Sequence, residues 1–375
     1  MDRPIAVIEP QMEEVFHAPF NAALLHATAL AYPEVAISFR AFPRHLDVVR
    51  GIIEQYAPAL LERIEWRVTP LRPAQSLLVR WIHSARLLRQ TLAPGERVLF
   101  TSISRMQLLQ LKRMMRNGDS VRAVLHGNLE ELEIASQERF PLNLFTLQRV
   151  VLRPHPPGLR YIVLGQSIAQ NLPQRFRPAL GDLCLIDHPY HFLPVCPAPA
   201  HPLIFGIFGN TGDGHLLEEV VRAVKAVNPA IRFRLVGFLS NQDAVERLRP
   251  LVEDVGCEPI SRDSFIARAQ SITHALWLGT PGCFRLRASG TFFDALAYAK
   301  PLVYTANAYI DSYFALEPEI AIRCTTLNDV PAAILDLVVH SSSESYATAV
   351  QAIQRLRTQF TPEQQAKQLP VALQW

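Results

Sequence analysis

Short apolar runs alternate with longer stretches of mixed apolar and polar positions along almost the whole chain. In the first half the runs are IAVIE, VAISFRA, IEWRV, RVLFT, VRAVLH, RYIVLG and LCLID. Between them, residues 18–31, 45–62, 74–92 and 104–116 carry apolar positions at helical spacing. Strands alternating with helices at this interval predict parallel βαβ units whose sheet is covered by helices on both faces. A second set follows residue 202: LIFGIFG, RFRLVG, CEPIS, HALWLG, KPLVYT and EIAIRC, again separated by helical patterns. From the serines at 341 onward the pattern is helical to the end.

The two sets are divided by HPYHFLPVCPAPAHP, residues 188–202, with five prolines in fifteen positions. Proline removes a backbone donor and disfavours helix in its predecessor, so this stretch predicts a linker. The expectation is an α/β protein of two Rossmann-like, doubly wound domains facing a cleft. Its parts are 1–190, a hinge at 191–202, a second domain at 203–350, and a helical segment at 351–375 crossing back to the first. A length of 375 residues fits two cores rather than one.

Composition narrows the class only a little. Net charge is +3, with 19 % charged and 49 % hydrophobic residues. No run of about eighteen apolar residues predicts a membrane span, and MDRPIAVIEP reads as a first strand rather than a signal peptide. The five cysteines, Cys184, Cys196, Cys257, Cys283 and Cys324, are dispersed and read as free thiols in a reducing compartment. These features point to a cytoplasmic protein.

Candidate chemistry concentrates in the second half. In FGNTGDGHLLEEVV, Gly206, Gly209, Gly212 and Gly214 break a strand-like run just before a helical one. The spacing is neither the dinucleotide fingerprint nor a P-loop. Glycine lets backbone approach a ligand, and a helix start offers amides to an anion. A tight turn capped by Thr211 or Asp213 is the plain alternative. In THALWLGTPGCFRLRASGTFFDALAYAKPLVY, residues 273–304, a strand leads through Arg285 and Arg287 to Ser289, Gly290 and Thr291 at a helix start. Two guanidinium groups, hydroxyls and amides there suit a diphosphate without a metal ion. Asp294 lies one turn further on, where a carboxylate can accept two ribose hydroxyls.

The segment SGTFFDALAYAKPLV resembles the nucleotide-sugar segment of GT-B glycosyltransferases, retaining "group 1" type, and the layout of the whole chain resembles that family too. The resemblance implies a donor-binding C-terminal domain and an acceptor-binding N-terminal domain. It implies that Gly209, Asn210, Thr211, Gly212 and Gly214, with Arg285, Arg287, Ser289, Gly290 and Thr291, hold the donor's phosphates and sugar. It implies that Asp294 holds the ribose. Leu286 stands where the retaining branch carries a glutamate, and Ala299 where it carries a glycine. The implied activity is transfer of a sugar from a nucleoside diphosphate to a hydroxyl of a glycan or lipid-linked glycan, in cell-surface polysaccharide assembly. A nucleotide-sugar 2-epimerase and a non-catalytic partner of the same fold are the alternatives.

In the first half, VRAVLHGNLEELE places His126 at the carboxyl end of a predicted strand, with Glu130, Glu131 and Glu133 after it. His126 and Glu130 are the candidate catalytic groups, since a positioned base can take the acceptor's proton. Glu9, His17 and Asn21, after the first strand, are candidates for acceptor hydroxyls. No D-x-D pair and no clustered cysteines or histidines predict a metal site. Residues 77–92, with Arg80, Arg86 and Arg89 among leucines, fit a sheet-covering helix or a contact with the inner face of a membrane. A nucleic-acid partner lacks its basic stripe with interleaved aromatics.

Overall fold

All seven runs of the first half form strands of one sheet: β1 (Ile5–Ile8), β2 (Ile37–Ala41), β3 (Ile64–Val68), β4 (Arg97–Phe100), β5 (Ser120–Val124), β6 (Leu159–Leu164) and β7 (Leu183–Ile186). The computed structural model describes residues 3–13, 15–69, 77–92, 95–133, 145–192, 194, 202–280 and 282–375. The strands lie in the order β3-β2-β1-β4-β5-β6-β7, and every pairing is parallel. β1 and β2 are buried along their whole length, as strands covered on both faces must be.

The helices follow from that order. α1 (Ala18–Ala31) and α2 (Pro43–Tyr56) carry the chain outward through β2 and β3. α3 (Leu77–Thr91), α4 (Arg105–Met114) and α5 (Leu147–Val151) carry it the other way. Right-handed crossovers therefore put the two sets on opposite faces of the sheet. α1 packs on α2, whereas α3 packs on α4 and α4 on α5. α6 (Gln166–Asn171) and α7 (Arg177–Leu180) complete the run to β7.

The second sheet holds β8 (Ile204–Asn210), β9 (Arg232–Phe238), β10 (His274–Trp277), β11 (Leu302–Thr305) and β12 (Ala321–Cys324), in the order β12-β11-β10-β8-β9. Its helices are α8 (His215–Val227), α9 (Gln242–Leu248), α10 (Arg262–Ser271), α11 (Gly290–Ala297), α12 (Ala308–Phe314), α13 (Val330–His340) and α14 (Ser343–Arg357). Leu217, Val220, Val221 and Val224 of α8 bury one face against Phe205, Phe233, Leu235 and Val303. The predicted strand CEPIS is not a strand. Residues 257–261 are largely exposed, and Ser261 instead caps α10 by accepting from the Ser264 amide at 3.2 Å. A run with an interior proline and no buried alternation has nothing to pair with.

By their contacts the residues divide into two units: 1–191 with 285–288 and 359–375, and 192–284 with 289–358. The proposed hinge, 191–202, lies mostly outside the described residues, as does Cys196. The segment expected to cross from 351 stays with the second unit through α14. Tyr346 donates to the Thr273 carbonyl at 3.1 Å. Arg357 donates to the carbonyls of Leu296 and Ala297, at 2.6 and 2.7 Å, at the end of α11. Burial lowers the pKa of that guanidinium to about 10.

Only α15 (Pro362–Leu373) belongs to the first unit, packed on α1 and β7. Arg122 fixes its end, donating to the Leu373 and Gln374 carbonyls at 2.5 and 2.6 Å. Because α15 and α2 cover it, α1 is buried from Phe20 through Ala29 rather than amphipathic.

Candidate functional site

In each sheet the strand order reverses at one point, β1/β4 in the first unit and β8/β10 in the second. Open α/β sheets bind ligands outside the carboxyl ends of the strands at such a point. In the second unit the two loops that flank it are the two segments singled out in the sequence. The glycine loop follows β8, and the loop after β10 leads to α11.

These loops touch. Gly209 has φ 78°, and a Cβ placed on it would lie 2.7 Å from Cγ2 of Thr291. Only glycine allows this approach at that backbone angle. Asn210 is exposed, while its Oδ1 accepts from the Gly212 amide at 2.9 Å and from the Ser240 hydroxyl at 3.3 Å. Gly290 is exposed at the first position of α11, and Asp294, partly exposed, follows one turn later on the same face.

Three donor candidates have other work. Ser289 is 0 % exposed: its hydroxyl accepts from the Phe292 amide at 3.2 Å and from Trp277 Nε1 at 2.9 Å, and pairs with Thr291 Oγ1 at 3.1 Å. It is the N-cap of α11, so its side chain does not face a phosphate. Gly214 is buried with φ 70°, and a Cβ there would meet Leu248 and Leu239 at 2.6 and 2.9 Å. Packing under α9 explains that glycine. Thr211 directs its amide and hydroxyl to the Phe238 carbonyl, at 3.2 and 3.5 Å, tying the loop to β9.

Arg285 and Arg287 are found with the first unit. Arg285 pairs with Glu133 at 3.2 Å and Arg287 with Glu130 at 3.5 Å, while Leu286 between them is 0 % exposed. Apolar burial of the middle residue turns both guanidinium groups the other way. Glu130, expected as a free base, is thus an ion-pair partner. Both pairs are substantially exposed and contribute little stability.

The first unit gathers three histidines from separate loops. His126 stands two residues beyond β5 and His188 two residues beyond β7. His17 sits at the N-cap of α1 in the left-handed region, φ 60°, an uncommon conformation that tends to mark functional loops. His17 stacks on His126 with ring centroids 4.0 Å apart; Phe20 lies edge-on to His126 at 4.9 Å and near His188 at 4.7 Å. Burial chiefly, then His17, His188 and Arg287, holds the His126 pKa well below the usual imidazole value. Burial and His17 lower that of His188 to about 3. His17 is also lowered, by burial, although Glu9 opposes it. All three rings are neutral near pH 7, which makes them hydrogen-bonding groups rather than cations. His188 opens the stretch that the sequence marks as a linker, although it shares with His126 an offset of two residues from its strand end.

Asn21 does not reach an acceptor. It is 0 % exposed and donates to Glu9 Oε2 at 3.1 Å and to His45 Nε2 at 2.8 Å. Glu9 itself, also 0 % exposed, welds the loops of the β1/β4 switch point. Its Oε1 accepts from Gln11 and Met12 amides and Ser102 Oγ at 2.8, 3.1 and 2.5 Å, and its Oε2 from Thr101 Oγ1 at 2.8 Å. Thr101 and Ser102 were missed in the sequence; their signal is a polar pair directly after an apolar strand.

No protein-family model and no curated sequence relative matches this chain. Solved structures do. A variant of TarM from S. aureus, in complex with fondaparinux, alpha-GlcNAc-glycerol and UDP, is similar over 100 % of both chains, with TM-score 0.65 at 10 % identity. HepE from Anabaena, in complex with UDP and glucose, is similar over 99 % of both chains, with TM-score 0.66 at 14 % identity. The calicheamicin glycosyltransferase CalG4 is similar over 100 % of this chain and 99 % of its own, with TM-score 0.50 at 14 % identity. At these identities the likeness establishes the architecture, which is the GT-B fold of two parallel-sheet units.

Proposed function

We propose, from the GT-B fold and the paired loops at the β8/β10 switch point, that this chain is a glycosyltransferase. It moves a sugar from a nucleoside diphosphate to a hydroxyl of a glycan or glycolipid in cell-surface polysaccharide assembly. The observation that carries the reading is the approach of Gly209 to Thr291, which brings a glycine loop and a helix start together at the carboxyl ends of β8 and β10. TarM and HepE, solved with UDP, support it by likeness of fold.

In the reaction, the bond from the anomeric carbon to the phosphate oxygen breaks, and one to the acceptor oxygen forms. The acceptor's proton passes to a base and the nucleoside diphosphate leaves. We assign the diphosphate to the start of α11 at Gly290 and Thr291, beside the close approach of Gly209, and the ribose hydroxyls to Asp294. Helix amides stabilise the charge that develops on the leaving group. Arg285 and Arg287, paired with Glu133 and Glu130, are given no part in holding the diphosphate, and the reading needs no metal ion. His126 is the assigned proton acceptor, and Glu130 holds Arg287. His17 is assigned to the acceptor, with Asn21 and Glu9 positioning its loop.

A thermal-shift series with nucleoside diphosphates tests the assignment. A ligand at a hundred times its Kd adds about 2.7 kcal/mol to the folded state. UDP is expected to raise the melting temperature, and Asp294→Asn to cut that rise while leaving the ligand-free melting temperature within a few degrees. No response to any nucleoside diphosphate, or an undiminished response in the variant, removes the reading. Incubation with UDP-glucose alone separates the epimerase alternative, which converts the sugar without an acceptor.

A further inference from the structure

The helices that follow β3, β4 and β5 share a feature the donor site does not use. α3, α4 and α5 pack side by side on one face of the first sheet, and none of them contains an aspartate or a glutamate. Each leads into the start of the next strand, so all three end at the amino-terminal edge of the sheet. At each end stands a pair of exposed arginines: Arg86 and Arg89, Arg113 and Arg116, Arg149 and Arg153.

Two exposed apolar side chains lie among them. Ile82, 53 % exposed, shares a stripe of α3 with Arg86 and Arg89, and Leu152, 60 % exposed, sits between Arg149 and Arg153. Lys112 locks the ends of α4 and α5 together, donating to the Val150, Val151 and Arg153 carbonyls at 3.1, 3.0 and 3.0 Å. Asp119 accepts from the Arg116 amide at 2.7 Å, and Glu96 pairs with Arg40 at 2.6 Å.

Helix dipoles favour cations at C-terminal ends, but the same dipoles favour acids in first turns. α3, α4 and α5 have none there. The charge therefore exceeds what helix ends call for.

We propose that this edge is a docking surface for anionic lipid headgroups. Basic side chains are drawn to a negative leaflet, and interleaved apolar ones enter its interface. The exposed isoleucine and leucine favour a lipid surface over a wholly polar polyanion. The geometry has a consequence for the acceptor. The basic edge lies at the amino-terminal ends of the strands, whereas Glu9 and His126 lie beyond their carboxyl ends. Docking thus holds the candidate site off the bilayer by at least the length of a strand, roughly 15 Å at about 3.3 Å per residue. The acceptor hydroxyl is then one carried outward on a glycan rather than one at the headgroup.

Sedimentation of the full chain with phosphatidylcholine vesicles, with and without phosphatidylglycerol, tests this. Binding is expected only with phosphatidylglycerol, and it should fall as salt is added. The combined variant Arg113→Glu, Arg116→Glu, Arg149→Glu, Arg153→Glu should lose at least about tenfold in partitioning. Arg44→Glu with Arg50→Glu, on α2 of the opposite face, should change it by less than about twofold. Absence of binding to anionic vesicles overturns the proposal, as does equal loss in both variants. Arginine-dependent retention on heparin without vesicle binding also overturns it, in favour of a polyanionic glycan. The UDP-induced thermal shift of the same variants stays at the wild-type value, so failure here is distinct from failure of the donor site.

Discussion

Gly209→Ala probes the contact on which the donor site rests. Two costs are legible in the structure. An alanine at φ 78° enters the left-handed region, at about 1–2 kcal/mol. Its Cβ would also lie 2.7 Å from Thr291 Cγ2, about 1 Å inside the ordinary carbon contact distance. Relieving that overlap shifts the loop or the start of α11, at roughly 1–3 kcal/mol. The single variant should therefore lose about 2–5 kcal/mol by urea unfolding followed by circular dichroism. Its UDP affinity should fall on the order of tenfold, because a small displacement of anion-binding amides is felt directly.

Thr291→Ser removes Cγ2 and keeps the hydroxyl that pairs with Ser289 at 3.1 Å. In the double variant only the backbone cost remains. Stability should recover by about 1–3 kcal/mol relative to additivity, and UDP affinity should return towards that of Thr291→Ser alone. Additive losses, with coupling under about 0.3 kcal/mol, would mean that the loop and the helix start are not in contact. The paired-loop site would then fall.

Two further outcomes follow from local chemistry. The pKa of His188 is near 3 in the fold against about 6.5 when unfolded. The neutral ring is the folded form, so its contribution is complete above pH 6.5. It is lost as pH falls towards 3, on the order of 5 kcal/mol in all. His188→Phe should flatten the dependence of urea midpoints on pH across that window, and an unchanged slope refutes the assignment. Ala299 closes α11 in the left-handed region, φ 49°, with its amide bonded to Leu296 O and that of Lys300 to Ala295 O, both at 2.9 Å. This is the position where helices usually place glycine. Ala299→Gly should raise stability by about 1 kcal/mol, and a lower urea midpoint in that variant argues against the strained cap.

The order and type of elements were legible in the sequence, because strands buried on both faces appear as continuous apolar runs and helices as a different period. Thus IAVIE and LIFGIFG mark the first strand of each sheet, and the glycine loop and SGTFFD were recognisable as the loops worth watching. CEPIS misled because its apolar residues lack a buried partner. What each polar group does was decided by tertiary structure. Ser289 reads as a phosphate ligand until Trp277 and Phe292 occupy its hydroxyl. Gly214 reads as a cradle until Leu248 fills the space beside it. Arg285 and Arg287 read as waiting for an anion until Glu133 and Glu130 are found opposite. α1 reads as amphipathic until α15, more than three hundred positions later, covers it. Local pattern records how often a side chain is buried. Whether its hydrogen bonds are already spent depends on partners distant in the chain, and only folding brings those together.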